Sequence, residues 1–341
     1  MSGRRVRVCV VGAGRTGRVH ATNLSTRITV AELIGVVDQV AEAAKALASE
    51  LGVNHYASLS EAMKKGDFEA VFITTPTPTH RDLAVEAAEA GKHVFCEKPM
   101  ALTLGEADEM ISAARKNDVK LQIGFMRRFD PEFRKAKELI DQGAIGKPVL
   151  VKSVGRGPGL PPRWALDPKT GLGMVAEVNS HDFDSLRWFM NDDFKTIYAE
   201  AAALLRPDVA EEFPGFHDVV AVTARFKKGG IGLLDGGCPV GYGYDARLEI
   251  LGTEGLLTIG EVKGTSMLIC HADKKITTEP FSSWRDRFKE AYVAEAESFL
   301  KAILGDRDPE VTGEDGRKTL EATLAAIRSI KEHRPIELPL R

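Results

Sequence analysis

The sequence predicts an α/β protein in which a doubly wound parallel sheet is followed by a second, largely antiparallel sheet. Three observations support this prediction. Short apolar runs alternate with helical patterns over the first third of the chain, which is typical of strands joined by helical crossovers. A glycine-rich segment directly follows the first apolar run. In the second half, strand patterns follow one another with short turns between them, which favours antiparallel pairing.

In the N-terminal part, short apolar runs bounded by turn residues predict strands at 5–11, 30–37, 70–74, 93–96 and 120–124. The helices between them have recognisable ends. The sequences SLSE at 58–61 and TLGE at 103–106 fit the capping box, and Gly91 follows a helical pattern at 83–90 as a stop signal. The pattern changes near Gly124, so we expect two domains, 1–125 and 126–341.

The second domain is predicted to begin with a helix at 130–143, which has Pro131 in its first turn. The glycine- and proline-rich segment 155–173 favours an ordered loop over a site. One helix is expected at 174–190, and two more, 285–304 and 314–333, close the chain. Strands are predicted at 148–154, 196–205, 219–226, 231–236, 247–251 and 256–259.

Composition and charge exclude several classes of protein. The 341 residues are 43% hydrophobic and 28% charged, which is typical of a soluble globular protein with room for two cores. A formal net charge of -3 provides no basic surface for nucleic acid. The four cysteines are far apart, so neither a disulfide scaffold nor a thiolate metal site is indicated, and a reducing cytoplasm is expected. No apolar run approaches the ~18 residues of a membrane helix.

The segment 12–17 (GAGRTG) lies between the first strand and a helical pattern, which is the context of a dinucleotide site. Glycines there permit a tight turn, close approach of the backbone to a pyrophosphate, and close packing of the helix on the sheet. Asp38 ends the next strand, where an acidic residue bonds the adenosine ribose. Because a carboxylate repels a 2'-phosphate and no arginine follows, NAD is the predicted cofactor. The alternatives are a purely structural turn and, for Asp38, a cap on the helix that starts near Val40.

Two further segments follow strands at the edge where an open α/β sheet binds its ligand. The segment 74–80 (TTPTPTH) either contacts the cofactor or ends a strand and caps a helix. In the segment 97–99 (EKP), proline restricts Lys98 to an extended conformation, so its ammonium can be held in one direction. A solvated strand end is the alternative for this second segment. The residues predicted to bind the cofactor are Gly12, Gly14, Arg15, Thr16, Gly17, Asp38, Thr75, Pro76, His80, Glu97 and Lys98.

Glu177 and His181 are four positions apart in the predicted helix 174–190, so we expect them on one helix face. An imidazole titrates near neutral pH and can take the proton of a hydroxyl during hydride transfer. The same spacing fits a packed core histidine with an ordinary helical partner. Zinc binding is not predicted, since two ligands make no site and no further His or Cys cluster accompanies them.

Segments spread over nearly the whole chain carry a family resemblance. They are the glycine motif, Asp38, the segments 74–80 and 97–99, MRRFD at 126–130, EVNSHDFDSLRW at 177–188, WRDRF at 284–288, AY at 291–292 and TGEDG at 312–316. In this order they resemble the glucose-fructose oxidoreductase and inositol dehydrogenase family. The resemblance implies an N-terminal Rossmann domain and a C-terminal α/β domain with a large open sheet. That sheet is often used for oligomer contacts, so a homodimer or homotetramer is expected.

The resemblance also implies roles for single residues. In this family the lysine of the Glu-Lys-Pro motif orients the reacting hydroxyl beside the nicotinamide, and a helix histidine is the acid/base, which assigns these roles to Lys98 and His181. Glu177 stands where family members commonly have aspartate. The implied activity is reversible, NAD-dependent oxidation of a secondary hydroxyl on a cyclic polyol or sugar. The residues expected at the substrate are Lys98, Arg127, Glu177, His181 and Tyr242.

Arg127 and Tyr242 are similar in position to an arginine and a tyrosine of inositol dehydrogenases, and a guanidinium and a phenol suit a polyol. At 155–157 the chain has Gly-Arg-Gly where those enzymes have a sequence resembling His-Arg-Asn. Two polar side chains that would contact ring hydroxyls are therefore missing, and the substrate can be a ring other than myo-inositol. One alternative function is sugar modification by transient oxidation with tightly held NAD. Another is a noncatalytic NAD-binding regulator, and the presence of Lys98 and His181 argues against it.

Overall fold

The computed structural model describes residues 3–167 and 170–340. The chain forms two compact units, Met1–Phe129 with Glu290–Leu320, and Asp130–Lys289 with Glu321–Arg341. The domain limits expected from the sequence, 1–125 and 126–341, remain a prediction. Within the described ranges, no helix is both long enough and apolar enough to cross a membrane.

The first unit alternates strands and helices. Its strands are β1 (Val6–Val11), β2 (Ala31–Val37), β3 (Asn54–Tyr56), β4 (Ala70–Ile73), β5 (His93–Glu97) and β6 (Leu121–Gly124). Its helices before residue 130 are α1 (Arg15–Thr26), α2 (Ala41–Leu51), α3 (Leu59–Lys65), α4 (His80–Glu89) and α5 (Leu104–Lys116). The capping box predicted at 103–106 is formed, with the Thr103 side chain and Glu106 each accepting a backbone N–H of the other. The short strand β3 was not predicted, because its sequence has no apolar pattern.

All six strands of this unit are parallel, in the order β3-β2-β1-β4-β5-β6. This is the doubly wound order, which reverses direction between β1 and β4. The prediction of a doubly wound parallel sheet is therefore confirmed. Because the strands are parallel, the glycine turn, Asp38 and the segments 74–80 and 97–99 all follow carboxyl ends at one edge of the sheet.

The remaining elements are the following. The strands are β7 (Pro148–Arg156), β8 (Phe194–Ala202), β9 (Val219–Phe226), β10 (Ile231–Gly237), β11 (Asp245–Gly252), β12 (Leu256–Ile259), β13 (Ile269–Cys270), β14 (Ile276–Thr277) and β15 (Ile336–Glu337). The helices are α6 (Pro131–Asp141), α7 (Arg163–Leu166), α8 (Gly173–Glu177), α9 (Ser180–Met190), α10 (Pro207–Glu212), α11 (Trp284–Arg287), α12 (Lys289–Leu304) and α13 (Gly313–Glu332).

The second unit contains a seven-stranded sheet in the order β12-β11-β7-β10-β9-β8-β15. Only the pair β7 and β10 is parallel, so the predicted, mostly antiparallel sheet is confirmed. Strand β9 alternates buried and exposed residues, which is the pattern of a sheet covered on one face. Helix α9 packs on β7 and β10, while Ala221, Thr223 and Arg225 on the other face of β9 are exposed.

The helix predicted at 285–304 is wrong as a single element, because it is interrupted at Phe288. This residue has φ of -114° and ψ of 22°, outside the helical region, and separates α11 from α12. Its fully buried ring lies 6.1 Å from the rings of both Phe133 and Tyr244. Burying an aromatic side chain contributes roughly 1.5–3 kcal/mol, enough to offset the lost helical turn. The core of the second unit thus determines where α11 ends.

Helix α12 belongs to the core of the first unit. Its residues Ala296, Phe299 and Leu300 are fully buried in the same cluster as the apolar residues of β1, β4 and β5. The rings of Phe72 and Phe95 stack at 4.7 Å, and Phe299 packs edge-on against both of them. A helix that is far from β1, β4 and β5 in sequence therefore completes the core beside the N-terminal sheet.

Candidate active site

The turn between β1 and α1 is shaped by its glycines. Gly12 has φ of +107°, a conformation that residues with a Cβ rarely adopt. A Cβ on Gly17 would lie 1.9 Å from the Gly12 carbonyl oxygen, so only glycine lets α1 pack this closely. A Cβ on Gly14 would meet no atom within 4 Å, which leaves open space before the first turn of α1, where Arg15 and Thr16 lie. A helix N-terminus with open space before it fits the pyrophosphate of a dinucleotide.

Asp38 connects this turn to the following helix. Its Oδ2 accepts a hydrogen bond from the Ala13 N–H at 2.7 Å, and its Oδ1 accepts one from the Val40 N–H at 2.8 Å. The N-cap residue of α2 is Val40, and the helix has no side-chain capping bond, so Asp38 contacts the backbone just before α2 but does not cap it. An ionised carboxylate accepts about four hydrogen bonds, so both oxygens keep lone pairs for the hydroxyls of a ribose.

Thr74 holds the glycine turn from the neighbouring strand. Its Oγ1 lies 3.0 Å from the carbonyl oxygens of Val11 and Gly12. A Cβ on Gly12 would approach Thr74 Oγ1 to 2.8 Å, so the turn and the threonine fit closely. Sequence reasoning did not single out Thr74 within the segment 74–80, because the parallel pairing of β1 with β4 is what brings it here.

His80 connects the ends of β4 and β5. Its buried ring places Nε2 2.9 Å from the Thr75 carbonyl oxygen and Nδ1 2.9 Å from the Pro99 carbonyl oxygen. Burial lowers the pKa of His80 below its ordinary value, while the two carbonyl contacts act in the opposite direction. Both ring nitrogens are thus engaged with the backbone of segments that carry Pro76 and Lys98. Contact of His80 and Pro76 with the cofactor stays a prediction.

The Glu97 and Lys98 side chains differ in their surroundings. The Glu97 carboxylate is buried, lies 2.7 Å from His20 Nε2, and accepts the backbone N–H of Lys98 at 3.2 Å. Lys98 is half-buried at the carboxyl edge of the sheet. The carboxylate therefore supports the backbone that carries the lysine, and contact of Glu97 itself with the cofactor stays a prediction. Sequence reasoning missed His20, since a histidine in an amphipathic helix carries no signal of its partner.

Arg127 follows β6 in a short 3₁₀ turn, Met126–Phe129, and is only 2% exposed. A guanidinium buried to this degree is costly unless other groups receive its hydrogen bonds, so its position is a specific feature of the fold. The adjacent Arg128 donates to Asp315 of α13 at 3.3 Å. This contact ties the turn to α13 within the first unit.

The segment that carries Glu177 and His181 corrects one sequence expectation. The single helix predicted at 174–190 is wrong, because α8 ends at Glu177 and α9 begins at Ser180. At the interruption, Asn179 Nδ2 donates to the Gly155 carbonyl at 3.1 Å and to Asp182 Oδ2 at 2.8 Å. These bonds hold Asn179, whose φ of -93° and ψ of 0° lie outside the helical region, between the two helices. His181 is buried in the first turn of α9, and the helical i,i+4 argument for its pairing with Glu177 no longer applies.

Asp182 explains the glycine at position 155. Its buried carboxylate accepts hydrogen bonds from Ser153 Oγ at 2.6 Å and from Asn179 Nδ2. A Cβ on Gly155 would lie 2.0 Å from Asp182 Oδ2, so the carboxylate occupies the space that any side chain at 155 would need. The sequence showed the loss of a polar side chain at 155, and the structure places a carboxylate from α9 beside it. The sequence alone could not show that the Asp182 carboxylate takes this place, because its position depends on the packing of α9 on β7.

The hydroxyl of Tyr242 belongs to an ion-pair network. It donates to Asp245 Oδ2 at 2.9 Å and accepts from Arg156 Nη1 at 3.1 Å. Arg156 also pairs with Asp235, and Arg247 donates to both oxygens of Asp245. Burial and the bond to Asp245 raise the pKa of Tyr242, so the phenol stays protonated. Contact of Tyr242 with a substrate stays a prediction.

Comparison with known proteins assigns the chain to a family. The NAD-binding Rossmann-fold sequence model of the GFO/IDH/MocA oxidoreductases matches residues 6–125, and the model of their C-terminal domain matches residues 133–258. The chain belongs to the GFO/IDH/MocA oxidoreductase family. The family resemblance seen in the sequence is confirmed, and so is NAD as the cofactor of this oxidoreductase.

Similar members of the GFO/IDH/MocA family extend over the whole chain. A myo-inositol 2-dehydrogenase of Thermotoga maritima is 33% identical over 98% of both chains. A scyllo-inositol 2-dehydrogenase (NAD(+)) of Bacillus subtilis is 33% identical over 99% of this chain and 97% of its own. Among solved structures, scyllo-inositol dehydrogenase from Lactobacillus casei with bound NAD(H) and scyllo-inositol has a TM-score of 0.91 at 28% identity, covering 98% of this chain and 99% of its own.

Proposed function

We propose that the protein is an NAD-dependent dehydrogenase that reversibly oxidises a secondary hydroxyl of a cyclic polyol or sugar. The observation that carries the proposal is the similarity, over 98% of the chain, to a structure that holds NAD(H) and scyllo-inositol. The geometry of the glycine turn, with Gly14 open and Asp38 fixed beside it, fits the cofactor that such a reaction needs. NAD, when bound, accepts the hydride from the substrate carbon.

His181 is the proposed acid/base. It lies in the first turn of α9, where a neutral imidazole can take the hydroxyl proton during oxidation. Glu177 ends the preceding helix, so its support of the imidazole is proposed to come from across the turn at Val178 and Asn179.

Lys98 is the proposed residue that orients the reacting hydroxyl. Its backbone N–H is held by Glu97, so the position of the ammonium depends on a fixed main chain. A cation at this place stabilises negative charge that develops on the oxygen, an effect worth roughly 3–4 kcal/mol by comparison with removal of an oxyanion-hole donor.

The choice of ring is proposed to depend on the Gly155 and Asp182 pair. Inositol dehydrogenases have a sequence resembling His-Arg-Asn at the place of residues 155–157. This chain has glycine at 155 and 157, and the buried Asp182 carboxylate lies within van der Waals reach of Gly155. Arg127 and Tyr242 are the further residues proposed to bind hydroxyls. Because the two polar side chains that would contact ring hydroxyls are missing at 155 and 157, we expect a bulkier or differently hydroxylated ring to be preferred over myo-inositol.

A panel of inositols and monosaccharides, assayed with NAD by NADH absorbance, tests the proposed function. Steady NADH formation with one ring compound supports it. Turnover of a sugar without net NADH, and with NAD that does not exchange, indicates transient oxidation instead. Binding of NAD with no reaction on any compound indicates a noncatalytic regulator and contradicts the proposal.

A further inference from the structure

A buried group of ionisable side chains lies at the carboxyl end of β5. It consists of His20 of α1, Glu97 of β5 and Glu295 of α12, which are 0%, 6% and 0% exposed. His20 Nε2 lies 2.7 Å from Glu97 Oε1 and 4.0 Å from Glu295 Oε1. One nitrogen or oxygen atom of each residue lies within 4.8 Å of the other two. All three belong to the first unit, and two of them were not found from the sequence.

The walls around the imidazole are aromatic. The rings of Phe72, Phe95 and Tyr292 have their centroids 5.7, 5.1 and 5.6 Å from that of His20. The neighbouring thiol of Cys96 is neutral, because burial raises its pKa well above the ordinary value. In such surroundings an ionised group is costly unless a partner of opposite charge or a hydrogen-bond donor contacts it.

Ionisation of both carboxyl groups is unfavourable, because they lie close together in a low-dielectric interior. Both oxygens of Glu97 have a partner, since His20 Nε2 lies 2.7 Å from Oε1 and the Lys98 N–H donates to Oε2. Neither carboxylate oxygen of Glu295 has a hydrogen-bond partner within the described residues, although Gln122 of β6 donates to its backbone carbonyl at 3.1 Å. Burial and the neighbouring Glu97 raise the pKa of Glu295 well above its ordinary value. Glu295 is therefore the protonated acid of the pair.

Glu97 contacts the candidate catalytic segment directly. Its Oε2 accepts the Lys98 backbone N–H, and Gly124 on the adjacent strand leaves the space that the carboxylate fills. A Cβ on Gly124 would lie 3.2 Å from Glu97 Cδ and from Oε2. The orientation of the carboxylate is thus fixed from α1, from β6 and from its own strand, and it in turn fixes the peptide that carries Lys98.

We propose that His20 is a positioning residue for Lys98, acting through the ionised Glu97 carboxylate, and that Glu295 is retained as a neutral acid that lets Glu97 keep its charge. This extends the candidate active site to α1 and α12. The catalytic consequence rests on the proposed function, whereas the charge states do not.

Two variants of His20 separate positioning from packing. His20→Met fills similar space without a donor, so Glu97 loses its partner and kcat is expected to fall by up to about 10²-fold, as for misplacement of a catalytic group. His20→Gln keeps an N–H that can reach Glu97 and should restore most of kcat. KM and the affinity for NAD should change less than kcat in both, with NAD-binding stoichiometry used to correct for unfolded enzyme.

The pH profile gives a readout that packing alone does not move. A Lys98 ammonium that is no longer held in place lowers the pKa of the proposed base His181 less, so the acidic limb of the kcat profile of His20→Met, which His181 sets, should move to higher pH. Equal kcat and an unmoved profile in His20→Met would overturn the proposal. So would a loss of kcat in His20→Gln as large as that in His20→Met.

Glu295→Gln tests the neutral acid without any substrate. Infrared spectra at neutral pH should show the C=O stretch of a protonated carboxyl group in the wild-type protein, and this band should disappear in Glu295→Gln. Absence of the band from the wild-type protein would overturn the charge assignment. So would one equivalent of a divalent metal that is bound to the wild-type protein and lost in Glu295→Gln. If no ring compound is oxidised at all, the proposed function fails while this band still decides the charge state of Glu295.

Discussion

The Asp38 carboxylate accepts the Ala13 N–H at 2.7 Å and thereby fixes the glycine turn from the neighbouring strand. The same side chain accepts the Val40 N–H just before α2 begins at Ala41. One acidic residue therefore has a structural role in addition to its expected contact with the ribose. Any test of its part in cofactor choice has to separate the two.

Asp38 is expected to select NAD over NADP. In Asp38→Ala the repulsion of a 2'-phosphate is removed, so the ratio of kcat/KM for NAD to that for NADP should fall. Asp38→Asn, which keeps an oxygen acceptor for the Ala13 N–H, is the matched control for the structural role and should also lower the ratio. An unaltered ratio in both variants would remove Asp38 from cofactor selection.

Two glycines of the same turn should respond differently to alanine. A Cβ at Gly17 meets the Gly12 carbonyl oxygen at 1.9 Å, so Gly17→Ala should destabilise the apoprotein by about 1–3 kcal/mol or more and weaken NAD binding. A Cβ at Gly14 meets no protein atom, so Gly14→Ala should keep stability but obstruct the pyrophosphate. Calorimetry of the apoprotein and titration with NAD measure both effects. Unchanged NAD affinity in Gly14→Ala would show that the dinucleotide does not approach this glycine.

Much of the first unit could be predicted from the sequence because its signals are local. Apolar runs located five of its parallel strands, and a glycine motif with an acidic residue after the next strand indicated NAD. Long-range packing was not accessible in this way. No local pattern says that Phe299 of α12 packs on Phe72 and Phe95, so the return of residues 290–320 to the first unit could not be seen.

The candidate site shows the same limit. His181 was predicted from its spacing and chemistry and from the family resemblance, whereas Asp182 gains its place only from the approach of α9 to Gly155. The continuous helix expected at 174–190 is wrong because hydrophobic periodicity cannot show the non-helical backbone at Asn179, where the side chain donates to the Gly155 carbonyl of β7.

His80 is expected to make stability depend on pH in the mildly acidic range. Burial lowers its pKa in the folded state, while in the unfolded chain a histidine titrates near ~6.5. Below that pH the unfolded state binds more protons, so the free energy of unfolding should fall as pH decreases through ~6.5. His80→Gln should lessen the loss of Tm on acidification, and replacement of the exposed His271 by Gln should not. An equal loss of Tm in wild type and His80→Gln would contradict this origin.

The exposed face of the seven-stranded sheet is expected to form a subunit interface. Helix α9 covers one face, while Thr223 and its neighbours on β9 leave the other uncovered. Light scattering at micromolar concentration should therefore give the mass of a homodimer or homotetramer. Thr223→Arg places a charge in the middle of this face and should reduce that mass, whereas Glu42→Arg on the exposed side of α2 should not. A monomer mass for the wild-type protein would refute the interface.

Lys98 and His181 are expected to act on one hydroxyl. His181→Ala removes the proton acceptor and should lower kcat by roughly 10²–10⁴-fold while NAD affinity is nearly unchanged. Lys98→Ala should cost a comparable factor, and the double variant should lose less than the product of the two, because groups that act together are not additive. Since oxidation requires the neutral imidazole, the acidic limb of the kcat/KM profile should vanish in His181→Ala. His217→Ala, a half-buried histidine elsewhere in the second unit, should leave both quantities unchanged. Near-normal turnover by His181→Ala on a verified substrate would make Glu177 or a chain of water molecules the leading candidate for the base.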